Sequence, residues 1–340
     1  MQLHNRIELL TTLGQRLKAL DDPPISDVIH KAYLNNTWFA KDEIKKSLSA
    51  IRDEFLDMGK LKNWLKPYDI SDQLSNKTIG IVMAGNIPLV GFHDLLCSFI
   101  CGHKTMIKLS SKDDVLLPVI IDMMVDIDEQ CAALFEQVDR LKGYDAVIAT
   151  GGDTAAVHFE YYFRDYPHVI RKNRSSVAIL DGSESEDDLQ DLGQDVFDYF
   201  GLGCRSVSKV YLPKGYELKR LFESFYSFKE VIHHNKYKNN YDYNNATMIL
   251  TNQQFLTNDF IILKEDELLG SRIATLHYEF YEDRAELIAS LNSRKEELQC
   301  ISAKSSIDTE LYVPLGQCQQ PGLSDYADHV DTIKFLTEQI

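Results

Sequence analysis

Apolar residues recur at three- and four-residue spacing through the first 68 positions of the chain. In "IELLTTLGQRLKAL" and "EIKKSLSAIRDEFLDMGKLKNWL" they line one face of a helix, with polar residues on the other. "DDPP" at 21–24 breaks the pattern between the two. Residues 2–68 therefore read as a helical segment. From Lys77 the pattern changes to short β-type runs separated by longer helical ones. "KTIGIVMAG", "KTMIKLS", "YDAVIATGG" and "SSVAILDG" read as strands. "PLVGFHDLLCSFICG", "DDVLLPVIIDMMVDIDEQCAALFEQV" and "DTAAVHFEYYF" read as the helices between them. This alternation predicts an α/β fold with a parallel sheet, right-handed crossovers and ligands at the carboxyl ends of the strands.

An acidic loop at 182–188 precedes a second αβ series. It contains "KVYLP", the helix "YELKRLFESFYSF", "ATMIL", "RIATLHYEFY", the helix "DRAELIASLNSRKEEL" and "ELYVPLG". Between them, "VIHHNKYKNNYDYNN" reads as a polar, loop-like stretch. The expected boundary lies near Asp181. It leaves a first domain over 1–181, a second over 182–310 and a C-terminal segment over 311–340. The polar tail after Pro321 is open to two readings, a return to the first lobe or a contact with a second subunit.

The formal net charge of −16 and the lack of a basic stripe exclude nucleic-acid binding as an expectation. Six scattered cysteines do not make a disulfide framework. The opening "MQLHNRIELL" lacks the grammar of a secretion signal, and the longest apolar runs fall short of a membrane span. A cytoplasmic chain, not integral to a membrane, is expected.

Four places could carry chemistry, and each also has a plain structural reading. Cys204, in "YFGLGCRSVSKVYLP", sits among Gly201, Gly203 and Arg205. It is either a thiolate nucleophile or a small buried hydrophobe. Asn86, in "MAGNIPLVG", is either an oxyanion donor at a strand's carboxyl end or a turn asparagine. Lys108, in "MIKLSS", ends a strand where a ribose or phosphate would lie, or is simply solvated. Gly151 and Gly152, in "ATGGDTAAV", either present backbone N–H groups to a phosphate or precede a helix capped by Asp153 or Thr154. Cys97 and Cys101 share a helix face without a matching ligand pair, so no metal site is expected.

Taken in order, "NIPL", "GHKTMIKLSS", "TGGDTAA" and "GLGC" resemble the aldehyde dehydrogenase superfamily. "EDELLGSRIATLHYEFYEDRAELIASLN" is similar to that superfamily's E-x-F-G-P segment and the strand and helix after it. The likeness runs from about Lys77 to Asn292. It implies a Rossmann-type cofactor domain, a second α/β catalytic domain and a helical N-terminal segment. It also implies that Cys204 is the nucleophile and Asn86 its oxyanion donor. Lys108, Gly151, Gly152 and Glu267 then fall to the dinucleotide.

The departures narrow the reading. "VIRKNRSSVAILDG" aligns with "ELGGKSPVIVFDD" of the hydrolytic members, which puts Ile170 at the general-base glutamate. Without that base, transfer to or from a thiol is favoured over hydrolysis. The pattern is closest to the acyl-CoA reductase family, known for the fatty-acid reductase of bacterial bioluminescence. The resemblance implies NAD(P)H-dependent reduction of a medium- or long-chain acyl thioester to the aldehyde. The substrate would be an acyl-CoA, CoA entering as part of it, or an acyl-protein. Ser111 stands where NAD-preferring members often carry a glutamate, which points to NADPH, with NADH as the other option. A homo-oligomer is a further expectation. A CoA-independent aldehyde dehydrogenase and a non-catalytic binding subunit of the same fold are the competing readings.

Overall fold

The computed structural model describes residues 1–340. The chain divides into two units, one made of Met1–Asn173 with Pro321–Ile340, the other of Arg174–Gln320.

The first unit begins with four helices, α1 (Leu3–Arg16), α2 (Ile25–Asn35), α3 (Lys41–Ala50) and α4 (Met58–Leu65). The apolar stripe read from the sequence is the buried one. Ile7, Leu10 and Leu13 of α1 and Ile44 and Leu48 of α3 are all buried. The alternating part follows as β1 (Thr78–Val82), α5 (Phe92–Ile100), β2 (Lys104–Lys108), α6 (Leu116–Ile127), β3 (Phe135–Gln137), β4 (Ala146–Thr150), α7 (Asp153–Phe163) and β5 (His168–Arg171). The five strands are all parallel, in the order β3-β2-β1-β4-β5. Ile79, Ile81, Ile107 and Ile148 are buried to 1% exposure or less, as expected of strands covered on both faces.

The second unit contains β6 (Ser175–Ile179), α8 (Glu186–Phe197), β7 (Val207–Pro213), α9 (Lys219–Phe225), α10 (Asn235–Leu250), β8 (Leu256–Thr257), β9 (Ile262–Glu265), β10 (Thr275–Tyr281), α11 (Arg284–Ser293), β11 (Leu298–Ala303) and β12 (Tyr312–Pro314). Its seven-stranded sheet runs β12-β11-β6-β7-β10-β9-β8 and is parallel except for β8 against β9. The last helix, α12 (Thr332–Glu338), belongs to the first unit.

That return is held by buried polar groups. Arg171, at the end of β5, donates from Nη2 and Nε to the two carboxylate oxygens of Asp94, at 2.6 and 3.2 Å. It also donates to the Ala327 carbonyl and to Thr332 Oγ1. Trp64 Nε1 donates to Tyr326 Oη at 2.9 Å, and Tyr68 Oη donates to Asp331 at 2.8 Å. Removing one partner of a buried pair such as Arg171–Asp94 typically costs about 3–5 kcal/mol, because the other charge is left unpaired.

Three sequence expectations change. The run at 175–179 pairs with β7 and β11 in the second sheet, so it is not the fourth strand of the first, and Asp181 falls inside the second unit. The helix expected to run to Val138 stops at Ile127. Asp128 turns extended and its side chain accepts from Gln130 N, and β3 then takes Phe135–Gln137. The loop-like stretch near 235 is helix α10, and "ATMIL" is its last turn. Its buried residues Tyr237, Tyr241, Asn244 and Met248 do follow helical spacing. Tyrosine and asparagine conceal that stripe in a polar reading.

Candidate active site

In the first unit the chain leaves β1 to one side for β2 and β3, then crosses to the other side for β4. The carboxyl ends of β1 and β4 thus flank the switch point where open α/β sheets bind ligands. Asn86 lies exposed in the loop after β1, and Gly151 and Gly152 follow β4. Gly151 is required by packing, since a Cβ there would lie 2.9 Å from Ala155 Cβ and 3.0 Å from Phe159 Cε2. Gly152 has room for a side chain and is the N-cap of α7, with no side-chain cap bond. Asp153 and Thr154 lie inside the first turn and do not cap it.

Lys108, exposed at the end of β2, opens onto a cleft of about 510 Å³. Ser110, Ser111, Asp114, Gln137 and Asp139 also line it. Asp114 accepts from Asn35 Nδ2 at 2.7 Å. The neighbouring turn is tight, for a Cβ on Gly85 would come within 2.6 Å of Ser110 Oγ. The cleft is polar, with one lysine and two carboxylates on its lining, and lies beside a backbone that only glycine allows.

In the second unit Cys204 is half-buried, whereas the other five cysteines are buried. The backbone before it is left-handed at three successive residues, Tyr199 (φ 53°), Phe200 (φ 58°) and Gly201 (φ 73°). For the two aromatic residues this costs of order 1–3 kcal/mol each, held by burial of both rings. Phe200 stacks on His234 with ring centres 4.2 Å apart. The turn then closes on itself. Ser206 N donates to Gly203 O at 3.0 Å, Gly203 N donates to Ser206 Oγ at 3.2 Å, and Gln319 Nε2 donates to the same hydroxyl at 3.0 Å.

Ser176 of β6 donates its hydroxyl to the Cys204 carbonyl at 2.8 Å and lies 3.0 Å from Cys300 Sγ. Cys300 is 3.7 Å from Cys318 Sγ. In that buried pair the hydrogen bond with Cys318 and the Arg205 charge lower the Cys300 pKa, and Cys318 is pushed up. Asp195 accepts from the N–H groups of Gly316 and Cys318 and from Ser302 Oγ. Burial nonetheless raises its pKa to about 6.

Glu267 is exposed, and its main chain is tied to β7. Lys209, with no exposed surface, donates from Nζ to the Glu267 carbonyl at 3.0 Å and to Glu279 at 2.6 Å. Ser208 donates to the Leu269 carbonyl at 2.8 Å. The second unit thus joins the Glu267 segment to the strand that begins three residues after Cys204. Ile170 is a half-buried residue of β5, packed with Val82, Val147, Ala149 and Phe163.

Ser176, Lys209, Asp195 and Asp113 were not singled out from the sequence. The one local signal was Lys209, a lysine inside an otherwise apolar strand run.

The family model described as acyl-CoA reductase (LuxC) matches residues 18–265, most of the chain. The chain belongs to the acyl-CoA reductase (LuxC) family. It is accordingly an oxidoreductase of aldehyde chemistry. Its fold is that of the aldehyde dehydrogenases. Aldehyde dehydrogenase 21 from Physcomitrella patens, solved with the reaction product succinate, is similar at a TM-score of 0.65 and 12% identity, covering 89% of this chain and 73% of that one. An NADP-dependent enzyme from E. coli is similar at 0.64 and 11%, covering 91% and 74%. The Mycobacterium tuberculosis aldehyde dehydrogenase complexed with NAD+ is similar at 0.63 and 11%, covering 89% and 73%. At such identities the likeness speaks for the fold alone. No curated protein sequence matches the chain. No helix is long and apolar enough to cross a membrane.

Proposed function

We propose that this acyl-CoA reductase family member reduces a medium- or long-chain acyl thioester to the aldehyde through an acyl group carried on Cys204. The observation that carries the reading is the setting of Cys204. It is the one cysteine of six that is not buried, on a loop whose backbone is pinned at both ends. The thiolate attacks the thioester carbon, and the new C–S bond forms as the electron pair moves onto the carbonyl oxygen. The Asn86 amide and the Cys204 backbone N–H are assigned as donors to that oxyanion. Its collapse expels CoA as the thiolate and leaves the acyl-Cys204 thioester. NAD(P)H, when bound, supplies the hydride that reduces this thioester. Cys204 then leaves as the thiolate and the aldehyde is released. Ile170 supports reduction over hydrolysis, because an aliphatic side chain packed into a core cannot activate water.

Lys108, Ser111, Gly151, Gly152 and Glu267 are assigned to the dinucleotide. Ser111 offers no carboxylate against a 2′-phosphate, and Lys108 on the same cleft can pair with one. Asp114, which keeps its charge while it accepts from the neutral Asn35 amide, and exposed Asp139 are the opposing charges on that cleft. NADPH is therefore expected to bind about tenfold more tightly than NADH, the value of one charge-assisted contact of about 1.4 kcal/mol. Titration of both cofactors checks this, and equal or tighter NADH binding would reverse it. That none of the six cysteines is in a disulfide suits a reducing cytoplasm.

The central experiment is intact mass of the protein mixed with acyl-CoAs of graded length, without nicotinamide. A stoichiometric acyl adduct on the wild type and none on Cys204→Ala is expected. An adduct of equal yield on Cys204→Ala would remove the nucleophile assignment.

A further inference from the structure

The loop at 83–91 carries Asn86 exposed near its middle, yet three contacts fix it from below. Gly85 lies against the turn at 110–113, with the position of a Cβ only 3.2 Å from Asp113 N. Ser47 of α3 donates its hydroxyl to the Pro88 carbonyl at 2.8 Å. The third contact is the most demanding. Leu89 adopts φ 57°, a left-handed conformation that costs an L-residue roughly 1–2 kcal/mol. Its side chain is buried, and its N–H donates to Asp113 Oδ2 at 2.7 Å. Without that acceptor the turn would hold both backbone strain and an orphaned buried donor.

Asp113 is an unfavourable residue to bury. It is 7% exposed, and its Oδ1 has no hydrogen-bond partner. Burial raises its pKa to about 6, against the opposing pull of the Leu89 and Leu116 N–H groups. The arrangement lowers fold stability, and what it yields locally is the fixed turn at Leu89. Asp113 also closes the turn that carries Ser111, through its own N–H to Ser110 O at 3.0 Å. One carboxylate thus joins the turn on the dinucleotide cleft to the loop that carries Asn86.

We infer that Asp113 is a positioning residue, which holds the Leu89 turn so that the Asn86 amide is presented to the developing oxyanion. This rests on the function proposed above. The test is single-turnover acylation of Cys204 at saturating acyl-CoA, read by intact mass. Asp113→Ala should acylate about ten- to hundredfold more slowly, the scale of a 1 Å misplacement. Its dinucleotide affinity should stay within about threefold of wild type, as expected when the loss is geometric and confined to the loop. Asp113→Asn keeps an oxygen to accept from Leu89 and should recover most of the rate. If Asp113→Ala does not fold, Asp113→Ser, whose shorter hydroxyl cannot span to Leu89 in the same way, carries the same expectation.

Wild-type acylation in the Ala or Ser variant would overturn the inference. So would a slowed rate matched by an equal loss of dinucleotide affinity, since that marks a general structural role. Failure of the wild type itself to form an adduct would instead remove the proposed function.

Discussion

The loop that carries Asn86 leaves the carboxyl end of β1, whereas the loop that carries Cys204 runs into the amino end of β7. Their supports differ as well. The first is held by a buried carboxylate, that of Asp113. Among the groups bonded to the second are neutral ones, the hydroxyls of Ser176 and Ser206 and the amide of Gln319. In the hydrogen-bond chain that runs through Ser176, a carboxylate, that of Asp195, comes in only behind Cys300 and Cys318. Electrostatics explains the difference. An anionic support beside a thiol would raise its pKa and reduce the thiolate available for attack, whereas a hydroxyl bonded to the backbone carbonyl fixes the loop without that penalty. A loop that offers only a neutral amide has no such constraint and tolerates a charge beneath it.

Substitutions on the two loops should separate these supports. The largest effect is expected at Asn86 itself. Asn86→Ala should acylate about 10²–10³-fold more slowly, the usual cost of one oxyanion donor. A wild-type single-turnover rate would break the assignment. A smaller effect is expected at Ser176. Ser176→Ala removes one hydrogen bond to the Cys204 carbonyl, worth about 1 kcal/mol, and should slow acylation by about three- to tenfold. The pH dependence of thiol alkylation at Cys204 should stay unchanged in that variant, because the hydroxyl carries no charge. A shifted alkylation profile would show that Ser176 acts on the thiol and not only on the loop.

Much of this organisation could be read along the chain. Helical stripes, alternating β and α runs and the order of Asn86, Lys108, Gly151 and Cys204 are local or sequential properties, and they led to the right fold and family. The membership of β6 was not legible, because "SSVAI" looks the same in either sheet and only pairing with β7 and β11 assigns it. Helix α10 was missed because its buried face is made of Tyr237, Tyr241, Asn244 and Met248, which hydropathy alone does not mark as a core stripe. The role of Asp113 was not legible either, because its partner Leu89 lies 24 residues earlier.

The sequence by itself therefore determined the fold class and most of the elements, and it supplied the residues proposed to do chemistry, since these follow from periodicity, residue type and order. Only the tertiary structure decided which sheet each strand joins and what holds the reactive loops. Hydrogen bonds such as Ser176 to Cys204 and Leu89 to Asp113 link residues 28 and 24 positions apart, and no local pattern encodes a partner at that range.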